Sequence, residues 1–150
     1  MKVSDKMTRN VRLASPDDTI QQAARSMAEC DAGALPVSEN DRLVGMVTDR
    51  DIAVRAVAHG KGLDTKMRDV MTPDVKYCFE DEDLDHVAHN MGDQQVRRLP
   101  VMNRGKRLVG ILSLGDVATG AGPQPAGEAV AGISRPGGGH AQTGSGRTAG

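Results

Sequence analysis

Gly45-Met46-Val47-Thr48-Asp49-Arg50-Asp51 reappears later in the chain as Gly110-Ile111-Leu112-Ser113-Leu114-Gly115-Asp116. Each stretch sets a glycine, two apolar residues, a hydroxyl residue and then, three positions on, an aspartate. The repetition extends outward from there. Ala34-Leu35-Pro36-Val37 returns as Arg98-Leu99-Pro100-Val101, and Ile20, Ala24 and Met27 return as Leu84, Ala88 and Met91. Met7-Thr8-Arg9-Asn10-Val11 returns as Met71-Thr72-Pro73-Asp74-Val75, about 64 residues on, with one residue inserted before Arg107. Two copies of one unit predict a pseudo-symmetric molecule whose chemistry comes in pairs.

The local patterns give each copy the same order of elements. Val3–Met7 reads as a helical turn and Val11–Ala14 as a strand. Ser15-Pro16-Asp17-Asp18 ends that strand and supplies cap chemistry for a helix carrying Ile20, Ala23, Ala24, Met27 and Ala28 at helical spacing. Ala34–Val37 and Arg42–Thr48 form a hairpin, and a helix starts at Asp49. The second copy predicts a turn at Lys66–Met71, a strand at Val75–Cys78, a helix over Glu82–Met91, strands Arg98–Met102 and Arg107–Ser113, and a helix from Leu114. The fold class is α/β (α+β), with tandem β-α-β-β-α repeats. The divisions are 3–58, a linker at 59–64, 65–119, and a tail at 120–150. The tail holds 10 of the 18 glycines and three charged side chains, so it is expected to be disordered, with His140 solvated.

Each repeat spans roughly 55 to 60 residues, a size at which an isolated unit buries only about 60% of its unfolded surface. The two should therefore share a core. The charge is balanced, with 19 basic and 20 acidic residues, and aromatics are limited to one Tyr and one Phe. Neither a nucleic-acid footprint nor a base-stacking surface is expected. No apolar run reaches the ~20 residues of a membrane span. No signal-peptide core opens the sequence, and Cys30 and Cys78 are too isolated for a disulfide framework. These features point to a cytoplasmic, reduced protein.

The repeated hydroxyl–aspartate pair admits two uses. Ser or Thr followed by Asp is ordinary helix N-cap chemistry. A carboxylate beside a hydroxyl also suits a ribose diol, with the hydroxyl placed for phosphate or ribose oxygen. Recurrence after a glycine-bounded strand in both copies favours binding over capping alone.

In combination, the β-α-β-β-α order, the Gly-Ala-Leu-Pro-Val and Arg-Arg-Leu-Pro-Val strands and the two G-h-h-[ST]-x-x-D segments resemble a CBS-domain pair (a Bateman module) over about Val3 to Ala118. The resemblance implies a regulatory binding module, not an enzyme. Such a module takes adenosine-containing ligands (AMP, ADP, ATP, sometimes NAD or S-adenosylmethionine) between its repeats and uses no catalytic cofactor. Carried over by position, Asp51 and Asp116 hold ribose hydroxyls, and Thr48 and Ser113 contact ribose or phosphate. Ala34, Leu35 and Pro36 line one adenine slot and Arg98, Leu99 and Pro100 the other; Thr8 and Thr72 close the cleft. The resemblance also implies a homodimer and a target protein of unknown identity.

The copies differ where Val96-Arg97-Arg98 replaces Ala32-Gly33-Ala34. Arg97 and Arg98 suit a phosphate or, equally, acids on a neighbouring surface. Gly115 stands where the first copy has Arg50, removing a side chain from the second. Cys78, His86 and His89 lack the clustered fourth ligand of a zinc site, so no metal is expected. The alternative to ligand sensing is a constitutive scaffold whose clefts are empty, with Asp51 and Asp116 as caps only.

Overall fold

In the computed structural model, residues 1–136 are described. The first repeat contains α1 (Ile20–Cys30), β1 (Ala34–Glu39), β2 (Arg42–Thr48) and α2 (Asp49–Asp51). α2 passes into a π-turn at Ile52–Ala56 and closes as a 3₁₀ turn at Val57–His59. The second repeat contains β3 (Thr72–Pro73), β4 (Cys78–Phe79), α3 (Leu84–Gln94), β5 (Arg98–Met102), β6 (Leu108–Ser113) and α4 (Leu114–Gly120), and α5 (Pro123–Ile133) follows. The mixed α+β class expected from the repeats is the one observed.

The helix caps are chemical rather than positional. Thr19, not the acids before it, caps α1: its Oγ1 accepts from Gln22 N at 3.2 Å, while Gln22 Oε1 accepts from Thr19 N at 2.8 Å. Asp18 instead closes the preceding turn by accepting from Ser15 N at 2.8 Å. The strand expected at Val11–Ala14 is reduced to one bridge, Ala14 to Val37, and the one at Val75–Cys78 shifts to Cys78–Phe79. Both segments are short edges whose pairing depends on distant residues, which hydrophobic alternation does not encode.

Two antiparallel hairpins, β1–β2 and β5–β6, anchor two three-stranded sheets ordered β1-β2-β3 and β4-β5-β6. The repeats exchange their leading segments. β3 lies near the start of the second repeat but pairs with β2 of the first, Thr72 opposite Met46. Thr8 reciprocally pairs with Ile111 in β6, with N···O distances of 2.8 and 3.0 Å. Val3 and Met7 lie in one core with Leu84, Met91, Leu99 and Leu112. Met67 and Val70 lie in the other with Ile20, Leu35 and Val47. Fully burying such a side chain is worth roughly 1.5–3 kcal/mol, so each exchanged segment ties one half to the other. The packed cores thus draw residues across the repeat boundary: residues before Thr8 complete the second core, and residues near Met67 complete the first.

The exchange also explains the motif glycines. A Cβ at Gly110 would lie 2.7 Å from the Thr8 carbonyl oxygen, and one at Gly45 would lie 2.8 Å from the Thr72 carbonyl oxygen. Each glycine admits the backbone crossing from the other repeat.

The tail expectation is overturned over its first part. α5 places Pro in the first turn, where its missing N–H costs nothing. It buries Ala126, Ala129, Gly132 and Ile133. Its small residues supply close approach instead of bulk: a Cβ at Gly132 would lie 2.6 Å from the Gly92 carbonyl oxygen of α3. Gln95 Nε2 donates to the carbonyls of Gly132 and Arg135, both at 3.0 Å. Residues 137–150, His140 included, lie outside the described residues.

Candidate functional site

The two hydroxyl–aspartate pairs are built alike. Thr48 precedes α2, its Oγ1 accepts from Asp51 N at 3.1 Å, and Asp51 Oδ2 accepts from Thr48 N at 2.9 Å. Ser113 precedes α4, its Oγ accepts from Asp116 N at 3.2 Å, and Asp116 Oδ2 accepts from Ser113 N at 2.9 Å. Each is a reciprocal capping box. The capping use is real in both copies, and it leaves Oδ1 of each aspartate outside the cap.

That second oxygen has a different environment in each copy. Asp51 is 1% exposed and Thr48 2%. Asp51 Oδ1 is buried without a hydrogen-bond partner, and so is Thr72 Oγ1. Arg55 Nε lies 3.8 Å from Asp51 Oδ1, while Arg55 Nη1 donates to the carbonyls of Val70 and Met71, each at 3.2 Å. Burial pushes the Asp51 carboxyl up to about 6, against the cap hydrogen bond and the Arg55 charge, which favour ionisation. Asp116 and Ser113 are instead partly exposed.

An open cleft of about 400 Å³ lies beside the second pair. Thr8, Ile111, Ser113 and Arg98 form one side of it. Ala34, Leu35 and the turn through Asp31 and Gly33 form the other. Arg98 stands opposite Ser113 in the β5–β6 register, as Ala34 stands opposite Thr48 in β1–β2. The cleft thus combines a hydroxyl pair, a guanidinium and an apolar wall, drawn from both repeats.

Of the residues singled out in the sequence, this cleft gathers Thr8, Ala34, Leu35, Arg98 and Ser113. Asp116 adjoins it through its cap with Ser113. Pro36, Leu99 and Pro100 are buried within their strands, and Arg97 is exposed, its carbonyl accepting from Leu114 N at 3.0 Å. Thr48, Asp51 and Thr72 are not in the cleft lining. Sequence reasoning missed the contribution of Val11 and Arg12, because the segment holding them reads as a strand rather than a cleft wall. Arg12 is engaged with Glu29 at 2.5 Å, which leaves Arg98 as the better-placed cation.

The metal candidates are dispersed. His89 pairs with Asp93 at 3.1 Å and His86 meets Asn90 at 3.2 Å, both along α3. Cys78 is buried in β4, and burial pushes its thiol up to about 12. Among the described residues, no group of three or more His, Cys, Asp or Glu side chains is arranged to hold a metal ion. Among the same residues, no helix is long and apolar enough to cross a membrane.

Residues 3–57 and 67–120 each match the CBS domain. The chain belongs to the CBS-domain family. Similar to it is the CBS domain-containing protein YhcV of Bacillus subtilis (strain 168), 40% identical over 133 residues, 88% of this chain and 94% of that one. Among solved structures, CBSX2 in complex with AMP is 29% identical at a TM-score of 0.70, covering 80% of this chain and 95% of that one. The CBS domain pair of protein MJ0100, in complex with methylthioadenosine and S-adenosyl-L-methionine, is 29% identical at a TM-score of 0.71, covering 79% and 94%. The exchanged sheets described above are thus those of a CBS pair, and the two capping boxes are one per CBS repeat.

Proposed function

We propose that this CBS pair is a cytoplasmic regulatory module that binds an adenosine-containing nucleotide (AMP, ADP or ATP) in the cleft beside Ser113. A change in repeat packing or in a homodimer would pass the signal to a target protein, with no catalysis by the chain itself. The observation that carries this reading is the convergence of Thr8, Ser113 and Arg98 on an open cleft whose far wall, Ala34 and Leu35, is apolar. An adenine fits the apolar wall, a ribose the Asp116 carboxylate and the hydroxyls, and a phosphate the Arg98 guanidinium. The AMP, methylthioadenosine and S-adenosylmethionine complexes of CBSX2 and MJ0100 support the ligand class. A ligand regulates only through a difference in affinity between two states of its receptor.

The alternative, a constitutive scaffold, draws on the first copy, where Thr48 and Asp51 cap each other's backbone N–H and are buried. Calorimetric titration with AMP, ADP, ATP, NAD and S-adenosylmethionine, paired with thermal melting, separates the two. Ligand at 100 times its Kd adds about 2.7 kcal/mol to stability. A sensor shows saturable heat and a raised Tm; a scaffold shows neither.

A further inference from the structure

α5 lies beyond the two CBS repeats and owes its helicity to where it is docked. Its eleven residues include Gly127 and Gly132, and a glycine inside a helix costs about 1 kcal/mol relative to alanine. Helices of that length are marginal in isolation even when rich in alanine. α5 packs on α3 and α4. It is held there by the backbone approach of Gly132 to Gly92 and by the Gln95 side chain, whose Nε2 donates to the carbonyls of Gly132 and Arg135. Of its buried residues only Ile133 is large, which puts the dock at the low end of local stability.

The residue that holds α5 also begins one wall of the open cleft. Gln95 ends α3 in the left-handed conformation, φ 58°, and the next three residues run to the cleft. Val96 is buried, the Arg97 carbonyl accepts from Leu114 N at 3.0 Å in the first turn of α4, and Arg98 lines the cleft opposite Ser113. One side chain thus joins the end of α5 to the turn that sets Arg98 and to the helix that carries Asp116. The first repeat has the same turn without the joint. Asp49 N donates to the Gly33 carbonyl at 3.0 Å, but Asp31 stands at the Gln95 position, and an ionised carboxylate donates nothing. Ala24 and Ala28, the counterparts of buried Ala88 and Gly92, are exposed.

We propose that docking of α5 and occupancy of the nucleotide cleft are coupled through Gln95, a positioning residue for Arg98, so that α5 reports the bound state. The inference rests on the nucleotide reading. A phosphate that fixes Arg98 favours the turn that presents Gln95 to α5, and by linkage a docked α5 raises nucleotide affinity by the same factor. Hydrogen exchange of the full chain with and without saturating AMP (ATP if AMP gives no heat), beside calorimetric titration, tests it. Nucleotide should slow exchange of the α5 amides about fivefold or more and leave those of α1 unchanged. Gln95→Ala should abolish that slowing and raise the nucleotide Kd by about the same factor. Gly132→Ala drives a Cβ against the Gly92 carbonyl, undocking α5 with Gln95 intact, and should raise the Kd alike. Val130→Ala, at an exposed position of α5, should not, with circular dichroism as the check that each variant is folded. Nucleotide binding to wild type with α5 exchange unmoved, or a Gly132→Ala variant with fast-exchanging α5 and the wild-type Kd, would overturn the coupling and leave the nucleotide reading standing. No saturable heat with AMP, ADP or ATP would overturn the nucleotide reading and the coupling with it.

Discussion

The two capping boxes of this CBS pair share every hydrogen bond and differ in depth. Around Asp51 the protein has closed over the spare carboxylate oxygen, with Arg55 at 3.8 Å. Around Asp116 it has left a cleft. The residue corresponding to Arg55 in the second copy is Gly120, so the cation beside the first aspartate has no counterpart beside the second. A motif of this kind therefore fixes the cap; whether a ligand reaches it is decided by residues outside the motif. The comparison predicts one accessible site per chain at neutral pH, in the second copy.

The crossings that the copies share should be the costliest to disturb. Gly110→Val or Gly45→Val forces a side chain against the backbone of Thr8 or Thr72. Overpacking typically costs about 1–3 kcal/mol, and backbone contacts that cannot rotate away put these variants at or above the upper end. Urea melts of the two should fall together. A large loss in one and none in the other would show that the exchange is not equally important in both halves.

Much of this was legible in advance, and the failures share a cause. The hairpins β1–β2 and β5–β6, the helices α1 and α3 and the caps at Thr48 and Ser113 follow from short-range patterns repeated in both copies. The crossing of Thr8 onto Ile111 and of Thr72 onto Met46 is long-range, so Gly45 and Gly110 read only as motif residues. α5 was missed because Ala126, Gly127, Ala129 and Gly132 carry too little apolar area to signal a packed helix. Their packing works through backbone proximity to Gly92. The sealing of Asp51 was invisible because the two motifs read alike; the one clue was Arg55 against Gly120.

The depth difference has a pH signature. The Asp51 carboxyl is raised from 3.8 to about 6 by burial, so between those values the folded chain binds more protons than the unfolded one. Stability contributed by the protonated form is complete below about pH 4 and is lost as pH rises through about 6. Asp51→Asn removes the buried charge and should gain up to about 3 kcal/mol at pH 7, with the gain disappearing by pH 4. A stability difference between Asp51→Asn and wild type that stays constant from pH 4 to pH 7 would mean that the Asp51 carboxylate reaches solvent.

Within the open cleft, Arg98→Ala should weaken AMP or ATP by about 1.5–3 kcal/mol, roughly ten- to hundredfold, through loss of a charge-assisted contact. Adenosine, which lacks the phosphate, should bind as before. Asp116→Ala should weaken adenosine and AMP to a similar degree, because its carboxylate is assigned to the ribose. A loss in Arg98→Ala that is the same for adenosine would place Arg98 against the base or sugar and not the phosphate.

The smallest effect discriminates most sharply between capping and binding. Thr48→Ala and Ser113→Ala each remove a side-chain oxygen that accepts from an N–H at the start of a helix. Each should lower stability by about 1 kcal/mol, the usual cost of an N-cap. If the hydroxyls were caps and nothing more, nucleotide titrations of both variants would match the wild type. With Ser113 lining the open cleft and Thr48 sealed beneath the first repeat, Ser113→Ala should also weaken nucleotide binding several-fold, whereas Thr48→Ala should not. A weakened Kd in Thr48→Ala, with Ser113→Ala unchanged, would reverse the assignment: it would mean that the first copy opens in solution and is the one that takes the ligand.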